Sequence, residues 1–350
     1  MRQTAFLLVA CALVACSSKR NGADGSDADQ DATPAAQTSG YLGERPSDDS
    51  DKTERAQPPG ESVLSVTDGL IWYKVSGEGQ RGTPVILIHD GPGGSSFPQK
   101  PLEALSDERP VIRYDQLGSG KSQRVLDVSL YALPNFVSDL ELLRLHRRHQ
   151  KVHLIGQGWG ALVALEYYHS HPDHVASLTL ASPTLSYPAL AKRVGQLIAS
   201  LPDSMALAIQ RGQRERFRTS DDYQRAISTF YQTYVLRRYI RADLDSMAGF
   251  ANDSIYNFMH GPDEATITGT LRTYDATPQL RTVRVPVLFT VGEFDEVDSV
   301  MARQFAALTP NARVVVFKGA AHFPTWEAPE EVVRELRDFL RRADALDQRR

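Results

Sequence analysis

Only two cysteines, Cys11 and Cys16, occur in the 350 residues, and both fall close to the start. Whatever folds beyond them has no disulfide, no thiolate metal site and no cysteine nucleophile. Charge of one sign is not in excess either. The formal net charge is −4, and without a basic stripe there is no electrostatic footprint of a nucleic-acid partner. The apolar run at the start, residues 5–14 behind Arg2, is too short to span a bilayer and has the form of a secretion signal.

That run ends in Leu13-Val14-Ala15-Cys16, which resembles a bacterial lipobox, where the cysteine is acylated through sulfur and becomes the first mature residue. The same tetrad ends at Cys11, but more apolar residues follow it, whereas polar Ser17-Ser18-Lys19-Arg20 follows Cys16. The plainer alternative is an ordinary cleaved signal with an incidental cysteine. Lipid attachment at Cys16 implies the bacterial cell envelope, with the membrane as one partner; serine after the cysteine favours the outer membrane in a Gram-negative cell. Residues 1–15 are thus expected to be a signal peptide. Residues 16–60, rich in Asp, Ser, Gly, Pro and Ala, bury too little to offset their ordering entropy and read as an acidic tether.

From Glu61 onward the pattern is that of a packed domain, with 41% of the whole chain hydrophobic. Strands are expected over 61–66 and 70–75, separated by the hairpin signal Asp68-Gly69. Unbroken apolar runs at 84–89 and 111–114 suit strands covered on both faces. Phe136, Leu140 and Leu143 fall at helical spacing before another apolar strand at Val152. A helix over 162–169 and a strand over 177–180 follow. The alternation then breaks: residues 189–254 show helical patterns, including 223–238, and no convincing strand. It resumes with a strand over 285–292, a helix over 300–308, a strand over 314–317 and a last helix carrying Val332, Leu336, Phe339 and Leu340. Alternating strand and helix give an α/β class, a mainly parallel sheet flanked by helices, with an inserted helical cap.

Within that frame Gly156-Gln157-Gly158-Trp159-Gly160 joins a strand to a helix. The Gly-x-Ser-x-Gly nucleophile elbow of α/β-hydrolases has this form, because the sharp turn leaves room only for small flanking residues. Here the central position is Gly158. Asp295 follows a later strand and His322 the last one, the chain order of acid and histidine in that fold. The loop Gly91 to Gly94 lacks the lysine and spacing of a phosphate-binding Walker loop. His169, His171 and His174 surround Pro172 at a helix end and read as a solvated terminus, so no metal is expected.

These motifs together resemble the proline iminopeptidase family, including the tricorn-interacting aminopeptidases. The residues that carry the resemblance are His89-Asp90-Gly91-Pro92-Gly93-Gly94, Tyr114-Asp115-Gln116-Leu117-Gly118-Ser119-Gly120, the elbow, Gly261-Pro262-Asp263-Glu264 with Ile267-Thr268-Gly269-Thr270, Gly292-Glu293-Phe294-Asp295-Glu296, and Gly319-Ala320-Ala321-His322. The resemblance implies an α/β-hydrolase fold: a first core part over 61–188, a helical cap and amine-binding segment over 189–278, and a second core part over 279–350. It implies His322 as general base, Asp295 as the carboxylate that orients it, and the N–H groups of Gly91 and Trp159 as an oxyanion hole. It further implies Glu264 and Glu296 as acids that hold a peptide amino terminus, Trp159 as part of an apolar wall, and no cofactor. Asp90 departs from the glycine that many members carry, placing a charge beside the oxyanion loop.

Gly158 is the larger departure, since without a hydroxyl no acyl-enzyme can form there. Three functions remain open: a hydrolytically impaired binder of peptide amino termini or small amines; a hydrolase using a His322-activated water or a serine from Ser95, Ser96, Ser119 and Ser122; and a single-site variant of an active prolyl aminopeptidase.

Overall fold

Unbroken apolar runs need cover on both faces, and here they find it in one sheet. The computed structural model describes residues 60–239 and 241–348; the signal, Cys16 and all of the tether before Gly60 lie outside the described residues. Eight strands, β1 (Glu61–Val66), β2 (Gly69–Ser76), β3 (Val85–Ile88), β4 (Val111–Tyr114), β5 (Val152–Gln157), β6 (Val175–Ala181), β7 (Val287–Gly292) and β8 (Ala312–Phe317), lie in the order β1-β2-β4-β3-β5-β6-β7-β8. The β1–β2 and β2–β4 pairs are antiparallel, and every pair from β4 to β8 is parallel. In the first hairpin Val66 already pairs with Gly69, so the turn is Thr67-Asp68 and the glycine opens β2.

Strands β3, β5, β6 and β7 are buried at every position, as helix cover on both faces demands. One face is covered by the helices Leu133–His146 and Trp159–Ser170. The other carries the last helix, Pro329–Asp347, whose Val332, Leu336, Phe339 and Leu340 are buried at the spacing of one helical stripe. Burying four such side chains contributes roughly 6–12 kcal/mol of transfer free energy before the entropy of ordering is set against it. Asp344 near the end of this helix reaches back into the sheet, 3.0 Å from both the Arg109 guanidinium and His153 Nε2.

After β6 the chain leaves the sheet for a helical cap: Tyr187–Ala199, Asp203–Glu215, Asp221–Phe230, Arg241–Phe250 and Asp253–Met259. The helix expected over 223–238 is regular only to Phe230. It then widens into a π-turn, Tyr231–Val235, in which the Leu236 N–H donates to the Tyr231 carbonyl. The wider turn sits at a wall of the site: Tyr231 and Val235 both face the cavity that Asp90 and Glu264 line. The cap is tied to the core by backbone groups. Asn252 N–H donates to Gly93 O, Gly120 N–H to Phe250 O, and His322 N–H to Val235 O, at 2.8, 2.8 and 3.1 Å.

Candidate active site

Strand β5 ends at Gln157, the next helix begins at Trp159, and Gly158 makes the whole turn between them with φ 52° and ψ −113°. The turn is tight enough to dictate its neighbours. A Cβ on Gly156 would lie 2.3 Å from the Gly160 carbonyl oxygen, and one on Gly160 would lie 2.2 Å from that of Ile88. At Gly158 the obstacle is a side chain: a Cβ there would lie 1.9 Å from Asp90 Oδ1 and 2.4 Å from its Cγ. The carboxylate of Asp90 therefore occupies the space into which any side chain at the tip of the elbow would grow.

Asp90 is held there at both oxygens. Oδ1 accepts the N–H groups of Gly91 and Trp159, each at 2.8 Å, and Oδ2 lies 3.0 Å from His322 Nε2. The two N–H groups thus converge on one oxygen, the geometry by which an oxyanion is held. The loop that delivers Asp90 is braced from beneath. His89 is fully buried; its Nδ1 is 2.6 Å from the Asp90 carbonyl, and its Nε2 accepts the Gln116 N–H. This assigns the proton to Nδ1. Burial pushes the His89 ring down toward its neutral form, which fits that tautomer. Asp115 accepts Ser96 N–H and Oγ–H and Lys121 N–H, so the neighbouring loop is pinned as well.

On the other side of the imidazole, Asp295 Oδ1 is 3.0 Å from His322 Nδ1 and also accepts the Val297 N–H. Burial alone would favour neutral His322; the charges and hydrogen bonds of Asp295 and Asp90 outweigh it and raise the ring well above the ordinary histidine range. The backbone of His322 is fixed from two elements. Gln157 Nε2 and Ser182 Oγ donate to its carbonyl, while Glu327 receives Ala321 N–H and the N–H groups of Arg237 and Arg238 from the cap.

A cavity opens on the Asp90 end of this line of carboxylate, imidazole and carboxylate. Its walls are mostly apolar, with Val235, Leu236, Leu244, Met247 and Phe323 among them; Asp90, Ser95, Tyr231, Tyr256 and Glu264 supply the polar side chains. Glu264 retains 18% of its side-chain exposure, while Glu296 is almost wholly buried, with Oε1 3.8 Å from His322 Nδ1. Burial raises both acids. Glu264 is pushed up to about 7, with the Tyr256 hydrogen bond opposing and the Asp90 charge adding; Glu296 goes well above its ordinary value, with the Glu264 charge adding. Glu296 Oε2 has no hydrogen-bond partner among the described residues, a costly state for a buried acceptor.

Of the residues expected from sequence, Gly91, Gly158, Trp159, Asp295, Glu296 and His322 meet around Asp90, and Glu264 lines the same cavity. Three expectations need correcting. Trp159 does not wall the cavity: its indole is buried, donates to Gln116 Oε1 and packs edge-on against Phe136. The space at the elbow is not open to a water, because Asp90 fills it. The serines do not replace a nucleophile: Ser96, Ser119 and Ser122 bond to Asp115, Gln116 and the Asp115 carbonyl, and Ser95 stands on the cavity wall while His322 Nε2 engages Asp90. Sequence reasoning flagged Asp90 as a nearby charge without placing it, and passed over Tyr231, Tyr256 and Glu327. The signal for Asp90 was the pairing of a bulky acid in a glycine loop with a glycine at the elbow.

Known proteins place the chain within one group. A family model described as alpha/beta hydrolase fold matches residues 83–329. A proline iminopeptidase of Heyndrickxia coagulans is 36% identical over 80% of this chain and 98% of its own length; one from Thermoplasma volcanium is 31% identical over 77% and 92%. Among solved structures, Mycobacterium smegmatis proline iminopeptidase superposes with a TM-score of 0.76 at 27% identity, covering 82% of this chain and 99% of that one. VinJ superposes with a TM-score of 0.78 at 25% identity, over 82% and 100%. Identity above 30% across nearly the full length of such relatives, on the same fold, establishes that the chain belongs to the proline iminopeptidase family of α/β-hydrolases.

Proposed function

We propose that this protein retains the ligand pocket of its family but not its serine chemistry, and that it binds peptide amino termini or small amines with little or no amide hydrolysis. The observation that carries this reading is the Asp90 carboxylate, which sits where an elbow side chain would begin and consumes the two N–H groups an acyl oxyanion would need. Acyl transfer thus loses its nucleophile and its electrostatic stabiliser together. Loss of the nucleophile alone typically costs roughly 10⁶-fold in turnover.

The amine reading rests on charge. Asp90 and Glu264 line a largely apolar cavity, and Glu296 lies buried beside His322 with an unpartnered oxygen; burial raises the proton affinity of both glutamates. An ammonium group entering there supplies the missing donors and restores the charged forms of the acids, which offsets its own desolvation. Attachment to the cell envelope through Cys16 belongs to the same proposal and is supported by the lipobox-like Leu13-Val14-Ala15-Cys16.

Two measurements test this. Titration calorimetry of the chain from Glu61 with prolyl and alanyl amides should show binding, abolished in the Glu264→Gln/Glu296→Gln variant, without product in parallel hydrolysis assays. Brisk hydrolysis by the native chain defeats the reading. For the anchor, cells expressing the full chain should incorporate labelled palmitate into the protein, and Cys16→Ala should not.

A further inference from the structure

The carboxylate that blocks serine chemistry is itself arranged to react. A carboxylate that works as a nucleophile needs one oxygen clear of the oxyanion donors and turned to the cavity side, the other held by donors that will stabilise a later oxyanion, and a base to activate water. Asp90 meets all three conditions: Oδ1 lies on the N–H groups of Gly91 and Trp159 at 2.8 Å, Oδ2 is turned to His322 Nε2, and Asp295 orients that imidazole from the far side. Its side chain is 22% exposed and lines the cavity, with the phenols of Tyr231 and Tyr256 among the other walls.

We propose that Asp90 is a carboxylate nucleophile that opens epoxides of small apolar molecules through a covalent alkyl ester. This goes beyond the amine reading and does not depend on it. Amides are poor targets for such a group, because the oxyanion donors are already occupied by its own Oδ1. A strained ring carbon needs no oxyanion hole in the first step.

The chemistry closes on the residues present. Oδ2 forms a bond to a ring carbon as that carbon's bond to the epoxide oxygen breaks. The electron pair goes to the oxygen, which takes the proton that the His322 imidazolium holds against Oδ2. Esterification removes the Asp90 charge, one of the two anions that sustain the imidazolium, so His322 is left neutral and basic. It then deprotonates a water that attacks Cγ of Asp90. The tetrahedral intermediate places its negative oxygen, Oδ1, on the Gly91 and Trp159 N–H groups. Collapse breaks the bond from Cγ to the alkyl oxygen, the diol leaves with a proton from the new carboxyl, and the ion pair of Asp90 and His322 is restored. The sum is epoxide plus water giving diol.

The test follows the oxygen. The native full chain, in molar excess over 1,2-epoxyhexane or styrene oxide, is allowed one turnover in ¹⁸O-water. Asp90 is expected to gain one ¹⁸O, read on its peptide by mass spectrometry, while the first-turnover diol carries unlabelled oxygen from the protein. His322→Gln should accumulate an adduct of one epoxide mass on the Asp90 peptide, with diol formation down about 10³-fold or more; Asp90→Asn should form no adduct. The proposal is overturned by labelled diol with unlabelled Asp90, which means direct attack by water, by an adduct at another residue, or by neither diol nor adduct from the native chain. The native-chain experiment stands whether or not a variant folds. Amine binding, followed separately by calorimetry, can fail or succeed without altering any of these outcomes.

Discussion

If Asp90 stands in for the elbow side chain, restoring a serine at the elbow must fail alone and succeed when Asp90 is removed. In Gly158→Ser the new Cβ starts 1.9 Å from Oδ1 and 2.4 Å from Cγ, so the carboxylate must retreat by more than 1 Å relative to an ordinary contact of about 3.4 Å. Retreat breaks two charge-assisted hydrogen bonds of 2.8 Å and the contact to His322. Each is worth about 1.5–3 kcal/mol net, partly recovered from water in the cavity. A side chain at φ 52°, ψ −113° adds about 1–3 kcal/mol of backbone strain. The single variant is therefore expected to lose about 3–6 kcal/mol, a large part of the stability of a typical domain. In Asp90→Gly/Gly158→Ser the overlap is gone: the strain remains, and water or the serine Oγ replaces the carboxylate at the freed N–H groups and His322. The vacated N–H groups can then hold an oxyanion, and the serine Oγ meets His322. A thermodynamic cycle over native, both single variants and the double variant should give a coupling of about 2–3 kcal/mol, the upper range for residues in contact. With prolyl and alanyl chromogenic amides, the double variant should hydrolyse about 10³-fold faster than Gly158→Ser, the order that an oxyanion-hole donor contributes. Equal stability and equal activity of the single and double variants would mean that Asp90 does not hold the elbow, and the reasoning collapses.

Two further outcomes follow from the charged groups. A ligand amine at Glu264 competes with the proton that burial retains there up to about pH 7, so affinity for a prolyl amide should rise up to tenfold per pH unit below 7. It should fall again as the amine itself loses its proton near an ordinary α-amino pKa of about 8. Calorimetry from pH 5.5 to 9 should trace this bell, Glu264→Gln should flatten its acid limb, and a profile flat in the native chain removes Glu264 from the site. At the opposite end of the sheet, Asp344 is half-buried; burial alone would raise it, but His153 and Arg109 hold it down at about 2. Its contribution to stability is thus fully present above the unfolded value of about 3.9 and is lost as pH falls toward 2. Asp344→Ala strands the buried Arg109 and His153 and should cost about 3 kcal/mol at neutral pH, read by urea denaturation, with an effect near zero at pH 2. An unchanged midpoint at neutral pH would show that the last helix is held by its apolar stripe alone.

The core strands were legible because parallel strands buried on both faces need unbroken apolar runs: β4 matches its expected 111–114 span at both ends, and β3 differs only by end residues. Chain order brought His322 and Asp295 out for a similar reason, since each stands a few residues past the carboxyl end of one of the last two strands, β8 and β7. The cap was legible only as a region. Its π-turn at Tyr231–Val235 depends on one shifted hydrogen bond, which no periodicity encodes, and so the cavity wall it builds stayed hidden. Glu327 was hidden in another way: in sequence it is an acid in the first turn of a short helix, and only the fold brings the N–H groups of Ala321, Arg237 and Arg238 to it.

Asp90 and Gly158 lie 68 positions apart in sequence, where they stand as two separate departures. In space they are one feature, because the first fills what the second leaves open. A glycine at the elbow with nothing in its place would expose two convergent N–H groups and a histidine to whatever entered the cavity. An aspartate beside a serine would overlap it. Each residue makes sense only with the other, and neither lies where its partner's chemistry is written in the motif. The pair also preserves what a hydrolase elbow provides: a nucleophilic oxygen at the end of β5, a base on one side, and two N–H donors on the other. What has changed is the number of oxygens. A serine brings one and leaves the N–H groups for the substrate; a carboxylate brings two and uses the N–H groups itself. The reaction class must change with it, from attack on a carbonyl carbon, whose oxygen needs those donors at once, to attack on a carbon that needs them only when the ester is cleaved.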